Sequence, residues 1–315
     1  MAQTLMLVEK SDHRISFYDL ETGQRVGRSV SLPEFPHEFV VDADNRYAYV
    51  THYGVKNSGV EGTQGRSVIV VDIAAQEVVH NYDTGEHARP HGIELDASGR
   101  LYVLSEYTAH VLVKDNPRAF DQGWDRVVPT GGRKSHLFAL AADGEAAYSM
   151  NLDSGDVTVF NPRDAAVKPV SIRTGDKPEG RCLSADGRTL YVSNRGSGTI
   201  SVIDTASRTI RRSFPAAPDC NRVHYDGKRN RLMTINYLDC SMSVFDESTG
   251  REIHRHRMPA RASALCVDAE REFAFVAVDC EQVQKIHLDT FALALTLDTG
   301  REPDVMHVLP DGYFR

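Results

Sequence analysis

The chain has 315 residues, 41% of them hydrophobic and 25% charged, proportions that are typical of a globular protein and exclude a disordered or fibrous one. Its formal net charge of −8 argues against a surface for nucleic acids or anionic membranes. No apolar run is long enough to span a membrane, and the start, MAQTLMLVEK, lacks the features of a signal peptide. We therefore expect a cytoplasmic protein with no membrane contact.

Short segments rich in β-branched and aromatic residues follow one another along the chain, which predicts strands separated by tight turns. Residues 1–30 contain three such segments: TLMLVEK, RISFYDL and RVGRSV. Complete sets of four follow, most clearly between Pro178 and Phe214, where DG and GSG turns separate them. The C-terminal segment PDVMHVLP supplies the fourth strand that residues 1–30 lack, which would close a ring of sheets and leave no free edge.

Each set of four strands, labelled A to D, begins with a similar segment. The seven segments are PHEFVVDAD, PHGIELDASG, SHLFALAADG, PEGRCLSADG, NRVHYDGKR, SALCVDAER and DVMHVLPDG. Their equivalent positions lie 41 to 45 residues apart, with one interval of 54, and such a period is typical of a β-propeller. The sequence predicts an all-β fold in which residues 1–315 form a single seven-bladed propeller domain of four-stranded antiparallel blades. N-terminal strands B to D and a C-terminal strand A would close the ring.

One position at the start of each strand A, which we call the ring position, is polar in all seven units. Its residues are His37, His91, His136, Glu179, Asn221, Ser263 and Asp304. Because strand A lines the channel of a propeller, we expect these side chains at one level around the axis. His37, His91, His136 and Glu179 come from consecutive blades and would bind one divalent ion, with Fe, Mn, Zn, Ni or Cu preferred over Ca or Mg. A polar pocket without a metal is the alternative.

The turns between strands B and C form a second layer at the same channel mouth. Here His52 and Glu106 are candidates for acid and base, and Tyr53, Arg195 and Tyr237 for substrate contacts. The ring-position residues Asn221 and Asp304 would also contact the substrate. Arg181 would lie below Glu179 and either bind a substrate carboxylate or neutralise Glu179.

Two insertions interrupt the repeat. The Gly-rich loop over residues 54–66 overhangs the blade that carries His37, and we leave open whether it is a lid or a surface insertion. The insertion NPRAFDQGWDR, which contains Trp124, follows a strand C and is expected at the outer rim.

The consensus over Gly175–Arg211, G-x-x-P-x-G-x-x-x-S-x-D-G-R-x-L-Y-V-S-N followed by T-I-S-V-I-D-T, resembles the YVTN-type propeller repeat. The segment PHGI at Pro90–Ile93, followed by SGRLYV, resembles strand A of virginiamycin B lyase, a family that opens lactone rings by metal-assisted elimination. The chain also resembles lactonase-type propellers, which hydrolyse sugar lactones.

These resemblances and the ring position together predict a metal-dependent enzyme that cleaves a C–O bond of a small oxygenated molecule, as a lyase or lactone hydrolase. A non-enzymatic ligand-binding or scaffold propeller is one alternative, since many YVTN-repeat proteins are of this kind. An Fe(II)- and O₂-dependent oxygenase is another, because carotenoid-cleaving oxygenases hold iron through four histidines in a seven-bladed propeller. The substrate, the metal and the oligomeric state are left open.

Overall fold

The computed structural model describes residues 3–314, and it contains 28 strands arranged in seven four-stranded antiparallel sheets. The predicted all-β, seven-bladed fold is therefore confirmed. The one helical element described is a short 3₁₀ turn at Lys10–Asp12. Within residues 3–314 there is no helix with the length and hydropathy needed to cross a membrane. The predicted cytoplasmic location stays a prediction.

The strands are numbered in chain order. Blade 1 contains β1 (Thr4–Glu9), β2 (Arg14–Asp19), β3 (Val30–Ser31) and β28 (Pro303–Leu309). Blade 2 contains β4 (Pro36–Val41), β5 (Tyr47–His52), β6 (Ser67–Asp72) and β7 (Glu77–Asp83), and blade 3 contains β8 (Pro90–Leu95), β9 (Leu101–Ser105), β10 (His110–Lys114) and β11 (Arg126–Pro129). Blade 4 contains β12 (Ser135–Leu140), β13 (Ala147–Asn151), β14 (Asp156–Phe160) and β15 (Val170–Arg173).

The remaining three blades also contain four strands each. Blade 5 contains β16 (Pro178–Leu183), β17 (Thr189–Asn194), β18 (Thr199–Asp204) and β19 (Thr209–Pro215). Blade 6 contains β20 (Cys220–Asp226), β21 (Arg231–Asn236), β22 (Ser241–Asp246) and β23 (Glu252–Arg257). Blade 7 contains β24 (Ala262–Asp268), β25 (Phe273–Val278), β26 (Gln282–His287) and β27 (Leu293–Asp298).

The ring closes through blade 1, as the sequence predicts. Strand β28 pairs antiparallel with β1, so that Leu309 lies opposite Thr4 and His307 opposite Met6. The innermost strands contact one another in the order β28, β4, β8, β12, β16, β20, β24 and again β28. These seven strands form the wall of the central channel, and every one of them carries a ring-position residue.

Apolar layers between adjacent blades hold the ring together. Between blades 1 and 2, for example, Met6 and Phe17 pack against Val50 and Ile69, and all four are buried. Full burial of one such side chain stabilises a fold by about 1.5–3 kcal/mol. Because the cores lie between the sheets, the channel is free to carry polar side chains.

Asparagines at the ends of three B strands fix the turns at the mouth. The Asn194 amide donates to the hydroxyls of Thr199 (3.1 Å) and Ser201 (3.0 Å) on the next strand, and Asn151 and Asn236 make equivalent contacts. Their side-chain amides are engaged in these hydrogen bonds, which shape the turns, and the residues that follow them face the mouth.

The insertion with Trp124 lies at the outer rim, as expected. The Trp124 indole N–H donates to the carbonyl of Asp83 (2.8 Å), and its ring packs 5.7 Å from that of Tyr82. The insertion of blade 3 thus packs on the outer strand of blade 2, away from the channel mouth.

Candidate metal centre and mouth cavity

Each ring-position residue is the second residue of its inner strand, and in all seven blades the pairing with strand B shifts register there. In blade 2, Pro36 lies opposite His52 but Phe39 lies opposite Val50, so His37 belongs to a β-bulge. A bulge changes the direction of side chains on the strand that carries it. The same local distortion therefore turns seven side chains towards the mouth.

A strained backbone precedes most of these bulges. The residue two positions before the ring position has φ between 51° and 56° in six blades, although none of the six is glycine: Phe35, Arg89, Lys134, Lys177, Asp219 and Glu302. The left-handed conformation costs an L-residue roughly 1–2 kcal/mol. Strain of this kind is tolerated where it fixes a functional geometry, here the entry of the chain into the channel wall.

Three histidine rings stand side by side at the mouth. The ring centroids of His37 and His91 are 4.4 Å apart, and those of His91 and His136 are 4.1 Å apart. The central ring, His91, is fully buried, and its Nδ1 lies 2.7 Å from the carbonyl oxygen of His136. Because a carbonyl only accepts, Nδ1 carries the proton, and Nε2 is left as a buried lone pair with no hydrogen-bond partner among residues 3–314.

Burial and the neighbouring rings of His136 and His37 lower the pKa of His91 well below its usual value. His91 is therefore neutral at pH 7. A neutral imidazole with Nδ1 held by an acceptor and Nε2 free is the form in which histidine binds a metal.

His136 is fixed in the same way by a carboxylate. Its Nδ1 contacts Oε2 of the buried Glu106, whose Oε1 accepts a hydrogen bond of 2.8 Å from the Tyr53 hydroxyl. Burial by itself raises the pKa of Glu106, but His136 and Tyr53 outweigh it and hold the pKa below its usual value. Glu106 thus lies behind His136 as an ionised acceptor, and Nε2 of His136 is left to act as a ligand.

Glu179 follows next around the ring. Its Oε1 lies 3.9 Å from His136 Nε2, while Arg195 Nη1 lies 2.5 Å from Oε2 and Arg222 Nη1 lies 3.5 Å from Oε1. Burial raises the pKa of Glu179, but the charges of His136, Arg195 and Arg222 lower it further than burial raises it. Glu179 is ionised at pH 7 and is an available carboxylate ligand.

The predicted ligands are neighbours, but they are not all gathered around one point. Two groups have ligand atoms within 4.8 Å of one another, His37 with Glu38 and His91, and His91 with Glu106 and His136. Glu179 falls outside both groups in the part of the chain described. His91 is common to the two groups and is the centre of the cluster.

His37 is engaged on both ring nitrogens. Its Nε2 lies 3.3 Å from Lys10 Nζ, and its Nδ1 lies 3.1 Å from Asp304 Oδ2 without forming a well-directed hydrogen bond. Burial and the charge of Lys10 lower the pKa of His37. Asp304, predicted as a substrate contact, pairs with His37 and Lys10, and those two groups overcome the effect of burial and lower its pKa.

A cavity of about 350 Å³ opens above the cluster. Of the predicted residues, its lining includes His37, His136, Glu179, Tyr53, Arg195, Asn221, Tyr237 and Asp304. The carbonyl oxygen of the Asn221 side chain is buried with no partner in the described part of the chain, and the Tyr237 hydroxyl lies 3.4 Å from Asp279 Oδ2. The cavity thus has nitrogen ligands on one side and neutral and acidic oxygen groups on the other.

Four of the predicted residues are outside this lining: His91 and Glu106 lie buried behind it, and two others are placed elsewhere. His52 ends β5 opposite Pro36, and its Nδ1 lies 3.1 Å from the hydroxyl of Ser67. Arg181 lies deeper in the channel, where it donates to Glu94 (2.6 Å) and to the carbonyl of Phe138 (2.8 Å). The cations that neutralise Glu179 are Arg195 and Arg222, not Arg181. Neither His52 nor Arg181 belongs to the described lining of the cavity.

Sequence reasoning missed Lys10, Arg222 and Asp279, which all line the cavity. Lys10 and Asp279 occupy the same repeat position as Arg195 and Tyr237, one residue after the end of strand B, so a signal was present. Arg222 directly follows Asn221 and would point away from the channel under strict strand alternation, but the bulge overrides the alternation. Burial and the charges of Glu302 and Asp304 raise the pKa of Asp279.

The loop over residues 54–66 lies over the mouth. Lys56 Nζ is 3.4 Å from Glu302 Oε1, and the Arg89 guanidinium donates to the carbonyls of Ser58 and Val60 (3.4 Å each). Ser58 lines the cavity. This position is the one a lid requires, and movement of the loop stays a prediction.

No protein-family model and no curated protein sequence matches the chain. Solved structures do match its fold. The periplasmic gluconolactonase of Pseudomonas aeruginosa is 17% identical with a TM-score of 0.78, over 98% of this chain and 99% of that chain. Hydrazine synthase of Kuenenia stuttgartiensis is 17% identical with a TM-score of 0.76, over 92% and 93% of the two chains.

A third structure, from Bacteroides fragilis, carries a provisional assignment as a 6-phosphogluconolactonase. It is 14% identical with a TM-score of 0.77, over 98% of both chains. At these identities the likeness shows the fold alone: the chain is a seven-bladed propeller with lactonase-like structural neighbours. Its resemblance to YVTN-type repeats stays a prediction.

Proposed function

We propose that this propeller is a divalent-metal-dependent enzyme that hydrolyses a lactone of a small, oxygen-rich molecule at the channel mouth. The observation that carries the proposal is the pair of imidazoles at His91 and His136. Each has Nδ1 held by an acceptor. Nε2 of His91 is buried with no partner within residues 3–314, and Nε2 of His136 lies 3.9 Å from Oε1 of the ionised Glu179. Structural histidines rarely leave a buried ring nitrogen without a partner.

The donor set suits a transition metal. Two imidazoles and a carboxylate are typical ligands of Zn, Mn, Fe, Ni or Cu, and His37 beside His91 is a candidate for a fourth ligand. The Glu106–His136 and carbonyl–His91 contacts are the outer contacts that orient metal-binding histidines. Glu38, with a carboxylate oxygen within 4.8 Å of ring nitrogens of His37 and His91, offers a further carboxylate that now pairs with Arg222.

The cavity supports a hydrolytic reaction on a small substrate. At about 350 Å³ it has the size of a small-molecule site, and Asn221, Ser263 and Tyr237 offer groups that bind hydroxyls. Gluconolactonase shares the fold, which raises the expectation of a lactone substrate. A bound divalent ion supplies a Lewis acid that polarises a carbonyl group.

The chain's own residues divide the remaining work. In hydrolysis the oxygen of water bonds to the carbonyl carbon, the ring C–O bond breaks, and the ring oxygen takes up a proton to give a hydroxy acid. Asp279 lines the cavity across from the histidines, and burial with nearby Glu302 and Asp304 raises its pKa, which makes it a stronger base than an exposed carboxylate. Asp279 would accept the proton of water and pass it to the ring oxygen.

Metal content tests the proposal first. The purified protein is analysed for metals by plasma mass spectrometry beside the variants His91→Ala and Glu179→Ala, with His256→Ala on the outer strand β23 as a matched control. We expect one transition metal per chain in the wild type and the control, and loss in His91→Ala. Undiminished metal in His91→Ala, or none in the wild type, contradicts the proposed centre.

Turnover tests the reaction itself. A panel of aldonolactones is assayed for acid release with a pH indicator, before and after chelation and after the metal is restored. Activity that depends on the metal and falls in Asp279→Asn supports the proposal. A metal-loaded protein that hydrolyses none of the lactones, but consumes O₂ with iron, would instead favour the oxygenase alternative.

A further inference from the structure

A second, larger hollow adjoins the mouth cavity. It has a volume of about 880 Å³ and lies over the short B–C turns of blades 4, 5 and 6. We call it the outer groove. It shares Ser58, Glu179, Arg195 and Tyr237 with the mouth cavity, so the two spaces are continuous. The proposed hydrolysis of a small lactone uses the mouth cavity, and it assigns no role to the outer groove.

The walls of the outer groove are partly aliphatic. Leu152, Ala216, Pro218 and Leu238 line it, and Leu238 is 62% exposed at the tip of its turn. A single exposed leucine is ordinary on a protein surface, but four aliphatic groups around one concave space offer a surface that apolar carbons can cover.

The rim residues two positions before the ring position are charged in six of the seven blades. Blades 3 to 5 have Arg89, Lys134 and Lys177, blades 6 and 1 have Asp219 and Glu302, and Arg261 of blade 7 lies over the Tyr237 ring. Arg89 lies 3.7 Å from Glu106, Asp219 is held by Arg195, and Glu302 is held by Lys56. These charges are therefore compensated.

Lys134 and Lys177 differ from these groups. Neither side chain has an ion-pair partner within residues 3–314, and both line the outer groove. Asp153 is the one carboxylate of the lining that is likewise outside an ion pair in this range. Two lysines against one aspartate outside ion pairs leave the lining with one more unpaired cation than unpaired carboxylate, which in a chain of net charge −8 favours an anion at this place. Both lysines have a left-handed backbone (φ 54° and 51°), which fixes where their side chains leave the rim.

We propose that the outer groove binds the anionic, partly aliphatic end of an extended substrate whose reacting end enters the mouth cavity. The substrate class is a carboxylate joined to the reacting group by an aliphatic segment. Lys134 and Lys177 bind the carboxylate, and Leu152 and Leu238 cover the aliphatic carbons. This inference rests on the proposed function for the reacting end, but the binding of the anionic end is measurable without turnover.

The test is a calorimetric titration of the purified protein with decanedioate, with butanedioate and decanediol as comparison probes. Lys134→Gln combined with Lys177→Gln is the test variant, and Lys168→Gln combined with Lys228→Gln, two exposed lysines elsewhere, is the control of equal charge. We expect decanedioate to bind more tightly than either comparison probe. Loss of two ion contacts should weaken it about tenfold in the test variant and less than about twofold in the control.

Leu238→Ser separates the aliphatic contact from the charge, because it should reduce the advantage of decanedioate over butanedioate and leave butanedioate unchanged. Equal weakening in the two lysine variants, or no preference of the wild type for decanedioate over decanediol, overturns the inference. If decanedioate binds through the lysines but no lactone is hydrolysed, only the proposed function fails. If lactones are hydrolysed but decanedioate binds equally well to the wild type and the test variant, only the inference about the outer groove fails.

Discussion

The two sides of the channel mouth have the same backbone and different chemistry. The histidine arc, which we define as His37, His91, His136 and Glu179, and the polar arc, defined as Asn221, Ser263 and Asp304, both begin at the second residue of an inner strand. Both stand at a register shift against strand B. On the histidine arc, Nε2 of His91 has no hydrogen-bond partner within residues 3–314, whereas both ring nitrogens of His37 face charged groups. On the polar arc, Asp304 is held by His37 and Lys10, and Ser263 donates to the carbonyl of Pro303.

The comparison separates what the repeat provides from what the side chains provide. The bulge and the left-handed residue before it fix the direction of a side chain, whichever residue is present. The chemistry of a blade then depends on partners from neighbouring blades, as when Glu106 of blade 3 orients His136 of blade 4. Changes that remove such partners should therefore affect the two arcs differently.

The largest effect is expected for Arg195→Met. This change leaves the buried Glu179 and its neighbour Asp219 without the cation that lies within 2.5 Å of each. Loss of one partner of a buried ion pair costs about 3–5 kcal/mol, and the partial exposure of Arg195 reduces this to about 2–3 kcal/mol. Urea denaturation at pH 7 measures the free energy of unfolding. Arg211→Met, which breaks an exposed pair with Asp204, is the control, and an equal loss there would show that Arg195 has no special role.

A smaller but more specific effect is expected for Glu106→Ala. Removal of the carboxylate that orients a metal-binding histidine typically lowers metal affinity about 10–100-fold. Glu106→Gln should restore most of it, because the amide oxygen still accepts from His136 Nδ1. Competition with a chromophoric chelator measures the affinity. Asp279→Ala, on the other side of the cavity, should leave the affinity unchanged, and metal affinity in Glu106→Ala equal to that of wild type would show that His136 is not a ligand.

Histidine outside the metal centre should make stability depend on pH. His224 lies on β20 three residues after Asn221, and burial, opposed in part by Asp226, lowers its pKa to about 4. Because the unfolded chain binds a proton near pH 6.5 and the folded chain does not, stability is lost as the pH falls from about 6.5 towards 4. We expect about 1–2 kcal/mol of loss between pH 7 and pH 5. Urea denaturation of His224→Leu should show a shallower dependence, and an unchanged slope would assign it to other groups.

The fold followed from the sequence because its signals are local. The period, the turn residues and the split blade are all visible in the order of residues, so the seven blades and the common ring position were predicted correctly. The site was predicted less completely, because its contacts join residues far apart in the chain. Arg222 contacts both Glu179 and Glu38. Glu38 lies 184 residues before Arg222 in the chain, and no spacing rule indicates such a contact.

The β-bulge at the ring position is the second reason why the sequence predicted the site less completely than the fold. Strict alternation places Glu38 and Arg222 on the side opposite to His37 and Asn221, yet both of these charged side chains lie in the channel. His52 was selected as acid or base from its place in the repeat, but its contact with Ser67 is not visible in the spacing. The position of a residue in the repeat therefore predicts where its Cα lies. The contacts of its side chain with other blades determine its chemical role.

The smallest effect concerns the boundary between the arcs. Lys10 Nζ lies 3.3 Å from His37 Nε2, so a cation stands where a metal would otherwise be bound by this ring. Lys10→Met removes that charge and frees Nε2, and we expect metal affinity to rise about threefold, since repulsion between a metal and a nearby ammonium group is only partly screened at the mouth. Lys56→Met, which removes a more exposed lysine of the same cavity, is the control. A rise in Lys10→Met alone, measured by chelator competition, would add His37 to the ligands; equal affinities would leave His37 as the residue that anchors Asp304 and end the histidine arc at His91.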